Sequence, residues 1–146
     1  MTHPSVDLGP VHHVGFVVRS VAPTEALFDA LGYRRIADAV EDPRQEATIL
    51  FLRRKDASGS EPLVELICPR SEQSAVYAFS RESRFRIHHL CFAVDDIEAA
   101  STAAMATRRV QRVTPIVTAP AIGGCRIVFL FSRETGMFEL VERPPF

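Results

Sequence analysis

At 146 residues, 47% of them hydrophobic, the chain can fill the core of one compact domain. Seventeen Lys and Arg against eighteen Asp and Glu leave a net charge of −1, so no broad basic field exists to hold nucleic-acid phosphates. No run approaches the ~20 apolar residues of a membrane span, and the first ten residues lack the apolar stretch of a secretory signal.

Cys68, Cys91 and Cys125 are odd in number, far apart and without a C-x-x-C pair, which argues against a disulfide framework or a structural zinc knuckle and fits a reducing cytoplasm. The expectation is a soluble cytoplasmic protein with no nucleic-acid and no membrane partner. Arg53-Arg54-Lys55 and Arg108-Arg109 read as solvated edges.

In chain order, the alternation from His13 to Val18 predicts a strand. "SVAPTEALFDALGY" then predicts a helix, with Pro23 near its start and Gly32 at its end. "YRRIADAV", "EATILFLRR" and "PLVELICP" follow as three strands, separated by Asp42-Pro43 and by Ser58-Gly59-Ser60. "SEQSAVYAF" predicts a short connecting helix.

The same order then recurs. "IHHLCFAV" is a strand, and Asp95 with Glu98 three residues later has the spacing of a capping box opening the helix "EAASTAAMAT". "VQRVTPIVT", "CRIVFLFS" and "MFELVE" are three more strands, with Gly123-Gly124 turning the chain between two of them. The chain is thus expected to be an α+β fold, a single domain of two tandem β-α-β-β-β modules at about 11–70 and 86–143. Such a repeat predicts an open, cleft-like mixed sheet around a shared concavity.

Residues two apart share a strand face. His13, Gly15 and Val17 point one way on the first strand, as His89, Cys91 and Ala93 do on its repeat, with His12 and His88 opposite. In the last strand of each module, "LVEL" and "MFEL" embed Glu65 and Glu139 among apolar neighbours. His13 and His89 are separated by nearly the same length of chain as Glu65 and Glu139. A carboxylate in an apolar strand is costly unless paired or bound to a cation. Taken singly, each residue reads as an ordinary strand position; four at duplicated places point to a metal.

The stretches "HHVGFVV", "LVELICP", "IHHLCFAVDDIEAA" and "GGCRIVFLFSRETGMFELVE" resemble the vicinal oxygen chelate superfamily, the glyoxalase, bleomycin-resistance and extradiol-dioxygenase group. Within it they are most similar to the branch containing methylmalonyl-CoA epimerase. The resemblance runs from about Val11 to Glu142. It implies two β-α-β-β-β modules around one divalent metal, with the family's ligands falling on His13, Glu65, His89 and Glu139. In the epimerase branch a glutamate before a Gln-Gly pair is the implied base. Here that stretch reads Asp42-Pro43-Arg44-Gln45-Glu46, with Arg44 at the acid's position, which leaves Glu46 as a candidate and puts methylmalonyl-CoA itself in doubt.

Two imidazoles and two carboxylates suit Co²⁺, Ni²⁺, Mn²⁺, Fe²⁺ or Zn²⁺. An octahedral ion so held keeps two adjacent positions for the vicinal oxygens of one substrate, favouring loss of an α-proton through a metal-stabilised enolate. The base is Glu139, as the resemblance to glyoxalase I implies, or Glu46. The expected activity is that of a metal-dependent isomerase or epimerase, or a lyase, on a small carbonyl or acyl-thioester substrate. The alternatives are a binding protein that sequesters a small molecule and a ring-cleaving oxygenase. Cys91 reads as a structural thiol lining the same face, and Arg126 as a surface residue with a possible hold on an anionic substrate. Strand edges suggest a homodimer.

Overall fold

The computed structural model describes residues 7–146, which divide into two compact units, 13–88 and a second formed by 7–12 with 89–146. Each division falls inside a His-His pair. The chain's two repeats therefore do not split at the linker but within the strands that carry the histidines.

In the 13–88 unit the elements are β1 (Val11–Val17), α1 (Val21–Ala30), β2 (Tyr33–Arg35), β3 (Val40–Asp42), β4 (Ala47–Arg54), β5 (Leu63–Pro69) and α2 (Tyr77–Glu82). The strand order is β2-β4-β5-β1, with β3 also on β4. β1 and β5 run parallel, His13 opposite Leu63 and Gly15 opposite Glu65, while β4 and β5 are antiparallel with Phe51 opposite Glu65. The inner strands of this sheet are apolar on both faces. Accordingly Val64 and Leu66 of β5 face α1 in a cluster with Val18, Leu50, Leu52, Phe16 and Phe28. Leu63 and Ile67 are buried on the other face.

The predicted single strand "YRRIADAV" is two short ones, β2 and β3, which pair with opposite ends of β4. The register shifts by two residues between them, so that the four residues Ile36–Ala39 lie opposite Leu50 and Phe51 as a bulge. The connecting helix begins at Tyr77 rather than within "SEQSAV", whose residues form turns closed by the Ser74 hydroxyl donating to the Gln45 carbonyl at 2.6 Å.

The second unit carries β6 (Ile87–Val94), α3 (Ile97–Ala106), β7 (Val110–Arg112), β8 (Val117–Ala119), a 3₁₀ turn (Pro120–Ile122), β9 (Cys125–Ser132) and β10 (Gly136–Glu142). Its order is β6-β10-β9-β7, with β8 also on β9. β6 and β10 are parallel, Cys91 opposite Glu139; β10 and β9 are antiparallel, Phe129 opposite Glu139. "VQRVTPIVT" is again broken in two, at Val113–Ile116. Val94, Ile97, Ala104, Val128, Leu130 and Leu140 form the core between α3 and the sheet.

The N-terminal residues of this unit lie close along β6: Ala93 N–H donates to the Pro10 carbonyl at 3.0 Å. A Cβ at Gly9 would collide with the Ala93 carbonyl, so only glycine fits there.

Helix α3 starts one residue later than the expected capping box. Asp96, not Asp95, is the cap, accepting from Ala99 N–H at 3.0 Å. Glu98 therefore cannot reach back to the cap, and the free amide of Ile97 is taken by Glu142 of β10 instead, at 3.0 Å.

Candidate functional site: two buried histidine-glutamate pairs

Strand alternation in the 13–88 unit places His13, Glu65 and Phe51 side by side on the face opposite α1, because their backbones are paired across β1, β5 and β4. His13 Nε2 lies 3.1 Å from Glu65 Oε2, and the imidazole meets the Phe51 ring edge-on at a centroid distance of 5.1 Å. The 7–12 and 89–146 unit repeats the arrangement on the face opposite α3. His89 Nε2 is 3.7 Å from Glu139 Oε1, and the His89 ring meets Phe129 edge-on at 5.0 Å. All four polar side chains are buried, with His13 at 0%, His89 at 2%, Glu139 at 2% and Glu65 at 6% exposure.

These distances bear on whether a divalent ion fits. Two donors each ~2.1 Å from one ion stand roughly 3.0 Å apart at a right angle and ~3.4 Å apart in a tetrahedron. The pair at 3.1 Å matches the first spacing, and the pair at 3.7 Å needs only a small closure. Each pair supplies one borderline nitrogen and one hard oxygen, the donor mixture that first-row divalent ions accept. Each imidazole packs at a steep angle against its phenylalanine ring, which restricts the rotamers open to the histidine. The two rings are part of the site face that sequence spacing did not single out. Their signal was present in the near-repeat of "ILFL" and "IVFL", one strand before each glutamate.

The adjacent histidines have other contacts. His12 Nε2 is 2.7 Å from the Phe146 carbonyl oxygen, and His88 meets the Phe79 ring edge-on at 4.9 Å. Cys91 is fully buried on the His89 face, directly across from Glu139 in the β6–β10 register. Cys68 lies on the α1 face, where burial pushes its thiol above its ordinary pKa.

Glu46 sits in the β3–β4 hairpin with a left-handed φ of 48°. Its carbonyl accepts from Arg70 N–H at 2.8 Å, and its carboxylate is 3.9 Å from the Arg70 guanidinium. It precedes Ala47, which is roughly 13 Å along β4 from Phe51. The same hairpin holds a buried carboxylate that the Asp-Pro turn signal concealed. Asp42 shares the face of Ala47, Ile49 and Phe51, and accepts from Arg44 N–H at 2.9 Å and from the Gln45 side-chain amide at 2.9 Å. With a longer third bond from Gln45 N–H at 3.4 Å, these close the turn.

Arg126 is not available to a substrate on the His89 face. It lies on the α3 face and clamps Glu142 in two bonds of 3.0 and 2.9 Å, with a third to Glu98 at 3.2 Å. The guanidinium and the Ile97 amide together hold the Glu142 carboxyl below its ordinary range, and the same carboxylate raises the Arg126 pKa. The network ties β10, β9 and the start of α3 together.

Comparison with known proteins agrees with this architecture. Residues 12–129 match the family model described as the Glyoxalase/Bleomycin resistance protein/Dioxygenase superfamily. No curated protein sequence matches significantly. Among solved structures, methylmalonyl-CoA epimerase from Mycobacterium tuberculosis is similar with a TM-score of 0.80 at 21% identity, over 99% of this chain and 94% of that one. A methylmalonyl-CoA epimerase in complex with methylmalonyl-CoA and NH4+ gives 0.79 at 23%, over 93% and 95%. A hypothetical protein from Bacillus halodurans gives 0.77 at 24%, over 94% and 96%. At these identities the likeness establishes the fold, two mixed-sheet β-α-β-β-β modules. Among the described residues no helix is long and apolar enough to cross a membrane.

Proposed function

The chain belongs to the Glyoxalase/Bleomycin resistance protein/Dioxygenase superfamily, and from that premise we propose that it is a divalent-metal isomerase or epimerase, or a lyase, acting on a small carbonyl or acyl-thioester substrate. The carrying observation is that each unit independently buries one imidazole nitrogen against one carboxylate oxygen, at 3.1 and 3.7 Å. His13, Glu65, His89 and Glu139 are the proposed ligands of one ion. When bound, that ion supplies Lewis-acid polarisation of the substrate's oxygens, which acidifies the neighbouring carbon.

The remaining work falls to the chain. Glu139 is proposed to take the α-proton and return it, because its carboxylate already lies on the face that carries His89. Glu46 is the weaker candidate, since the Arg70 ion pair and the length of β4 keep it away from the Glu65 end of its face. Phe51 and Phe129 keep the two imidazoles in place and exclude water around them. Likeness to structures of methylmalonyl-CoA epimerases supports a thioester among the candidate substrates.

The test is α-proton exchange in D₂O, followed by NMR, with acyl-CoA thioesters and 2-oxo-hydroxy compounds in turn. Exchange that requires about one divalent ion per chain is the expected result. No exchange with any compound, joined to no metal uptake on titration, would turn the reading to a binding module that sequesters a small molecule.

A further inference from the structure

A second concavity lies within the 13–88 unit, between the end of β1 and helix α1. It holds about 420 Å³, with Phe16, Val18, Leu27 and Phe28 along it and Arg19 and Arg86 beside them. Phe16, Val18 and Phe28 pack on the α1 side of the sheet, so the groove is on the face opposite His13 and Glu65. Helix α1 does not fill it: the helix buries no residue fully, and Leu27 is 57% exposed.

Strand pairing brings the two arginines together, since Val17 N–H donates to the Arg86 carbonyl at 2.8 Å. Their guanidinia converge on one oxygen. Arg19 Nε and Arg86 Nη1 donate to the Ser80 carbonyl at 3.0 and 2.9 Å, and Arg19 Nη2 reaches the Arg81 carbonyl at 3.4 Å. Like charges so close repel unless an anion joins them. Among the described residues neither arginine forms an ion pair, and the first turn of α1 has no acidic residue. Arg86 commits only Nη1 to the backbone. Its Nε–Nη2 fork is the one with which Arg35 grips Glu25 and Arg126 grips Glu142, in bonds of 2.7 to 3.0 Å.

We propose that this groove binds a free aliphatic carboxylate of medium chain length, its head on Arg86 and Arg19 and its hydrocarbon along Phe16, Val18, Leu27 and Phe28. A concave, mostly apolar site with a few polar groups suits a small amphipathic ligand. A carboxylate offers two oxygens to the two cations and matches the open fork in parallel bonds. An acidic peptide would bring several charges to a groove that is apolar beyond the arginines. A wholly apolar ligand would leave those cations without an anion.

Sodium decanoate, kept below its micellar concentration, is titrated calorimetrically into the full chain with and without EDTA. One site per chain, indifferent to EDTA, is expected. Affinity should rise about tenfold for each two carbons from hexanoate to decanoate, and decanol should bind about tenfold more weakly than decanoate. In the ¹⁵N-labelled chain, amide shifts should move between Phe16 and Phe28 and at Arg86. Arg86→Gln should weaken binding by about tenfold. Because Arg86 also holds the Ser80 carbonyl, Leu27→Glu at the exposed helix position is the second variant. Its carboxylate in the groove should weaken binding by more than about tenfold. Circular dichroism checks the folding of both.

Decanol binding as tightly as decanoate, equal affinity at every chain length, or binding unchanged in both variants would each overturn the proposal. Loss of binding with EDTA would place the acid on a metal and overturn it as well. Tighter binding to phosphatidylglycerol vesicles than to decanoate would make the surface a membrane contact, with the same consequence.

Discussion

The two units carry the same chemistry on differently secured scaffolds. Unit 13–88 and its counterpart each present histidine, glutamate and phenylalanine on three adjacent strands, with ring contacts of 5.1 and 5.0 Å. Their helices differ. Helix α3 buries Ile97, Ser101 and Ala104, is capped by the Asp96 carboxylate, and is tied to the sheet through Glu142 and Arg126. Helix α1 buries no residue fully, and its cap Ser20 makes no side-chain bond to the helix. The lesson is that the position of a strand side chain is fixed by sheet register, which does not depend on how firmly the covering helix is fastened.

The comparison is broken most severely by removing one pair. His89→Ala or Glu139→Gln should lower metal affinity by more than ~100-fold, since even outer partners of a ligand are worth 10–100-fold, and should abolish metal-dependent exchange. Metal titration and NMR in D₂O check this, and His13→Ala and Glu65→Gln should match them. If either unit's pair proves dispensable, the four residues do not share an ion.

A smaller effect tests whether the two cores are equally demanding. Leu66→Ala and Leu140→Ala, both fully buried on the helix faces of their sheets, should each cost about 2–5 kcal/mol in urea unfolding. A large inequality would mean that one core collapses around the cavity more easily than the other.

The caps sharpen the contrast further. Asp96→Ala should cost about 1 kcal/mol, whereas Ser20→Ala should leave the unfolding midpoint nearly unchanged. Equal losses would remove the difference drawn between the helices.

The least effect is in pH. Glu142 has a folded pKa below its ordinary 4.5, chiefly through Arg126. Its contribution is therefore complete above about pH 4.5 and fades as pH falls through the lower folded value. Glu142→Gln should flatten that acid decline, seen as a smaller gap between the variant and the parent protein near pH 3 than at pH 7.

Much of this was legible beforehand. The faces of His13, Glu65, His89 and Glu139 followed from period-two alternation, and β9 and β10 lie where "CRIVFLFS" and "MFELVE" placed them. Legibility failed where one segment depends on another. The breaks in "YRRIADAV" and "VQRVTPIVT" are bulges, four residues opposite two of the long partner strand, which only the pairing register reveals. The start of α3 shifted because Asp95 and Asp96 are equally good caps locally, and Glu142, more than forty residues away, settles the Ile97 amide.

The order of strands and helices, the duplication, and the side of each strand on which the polar residues fall were set by local chemistry alone, since backbone pleat and hydrophobic spacing need no distant partner. Only tertiary structure decided that Arg126 serves the α3 scaffold, that Phe51 and Phe129 brace the imidazoles, and that Arg19 and Arg86 converge on the Ser80 carbonyl. Each of those depends on strand register, and register is fixed by segments far apart in the chain.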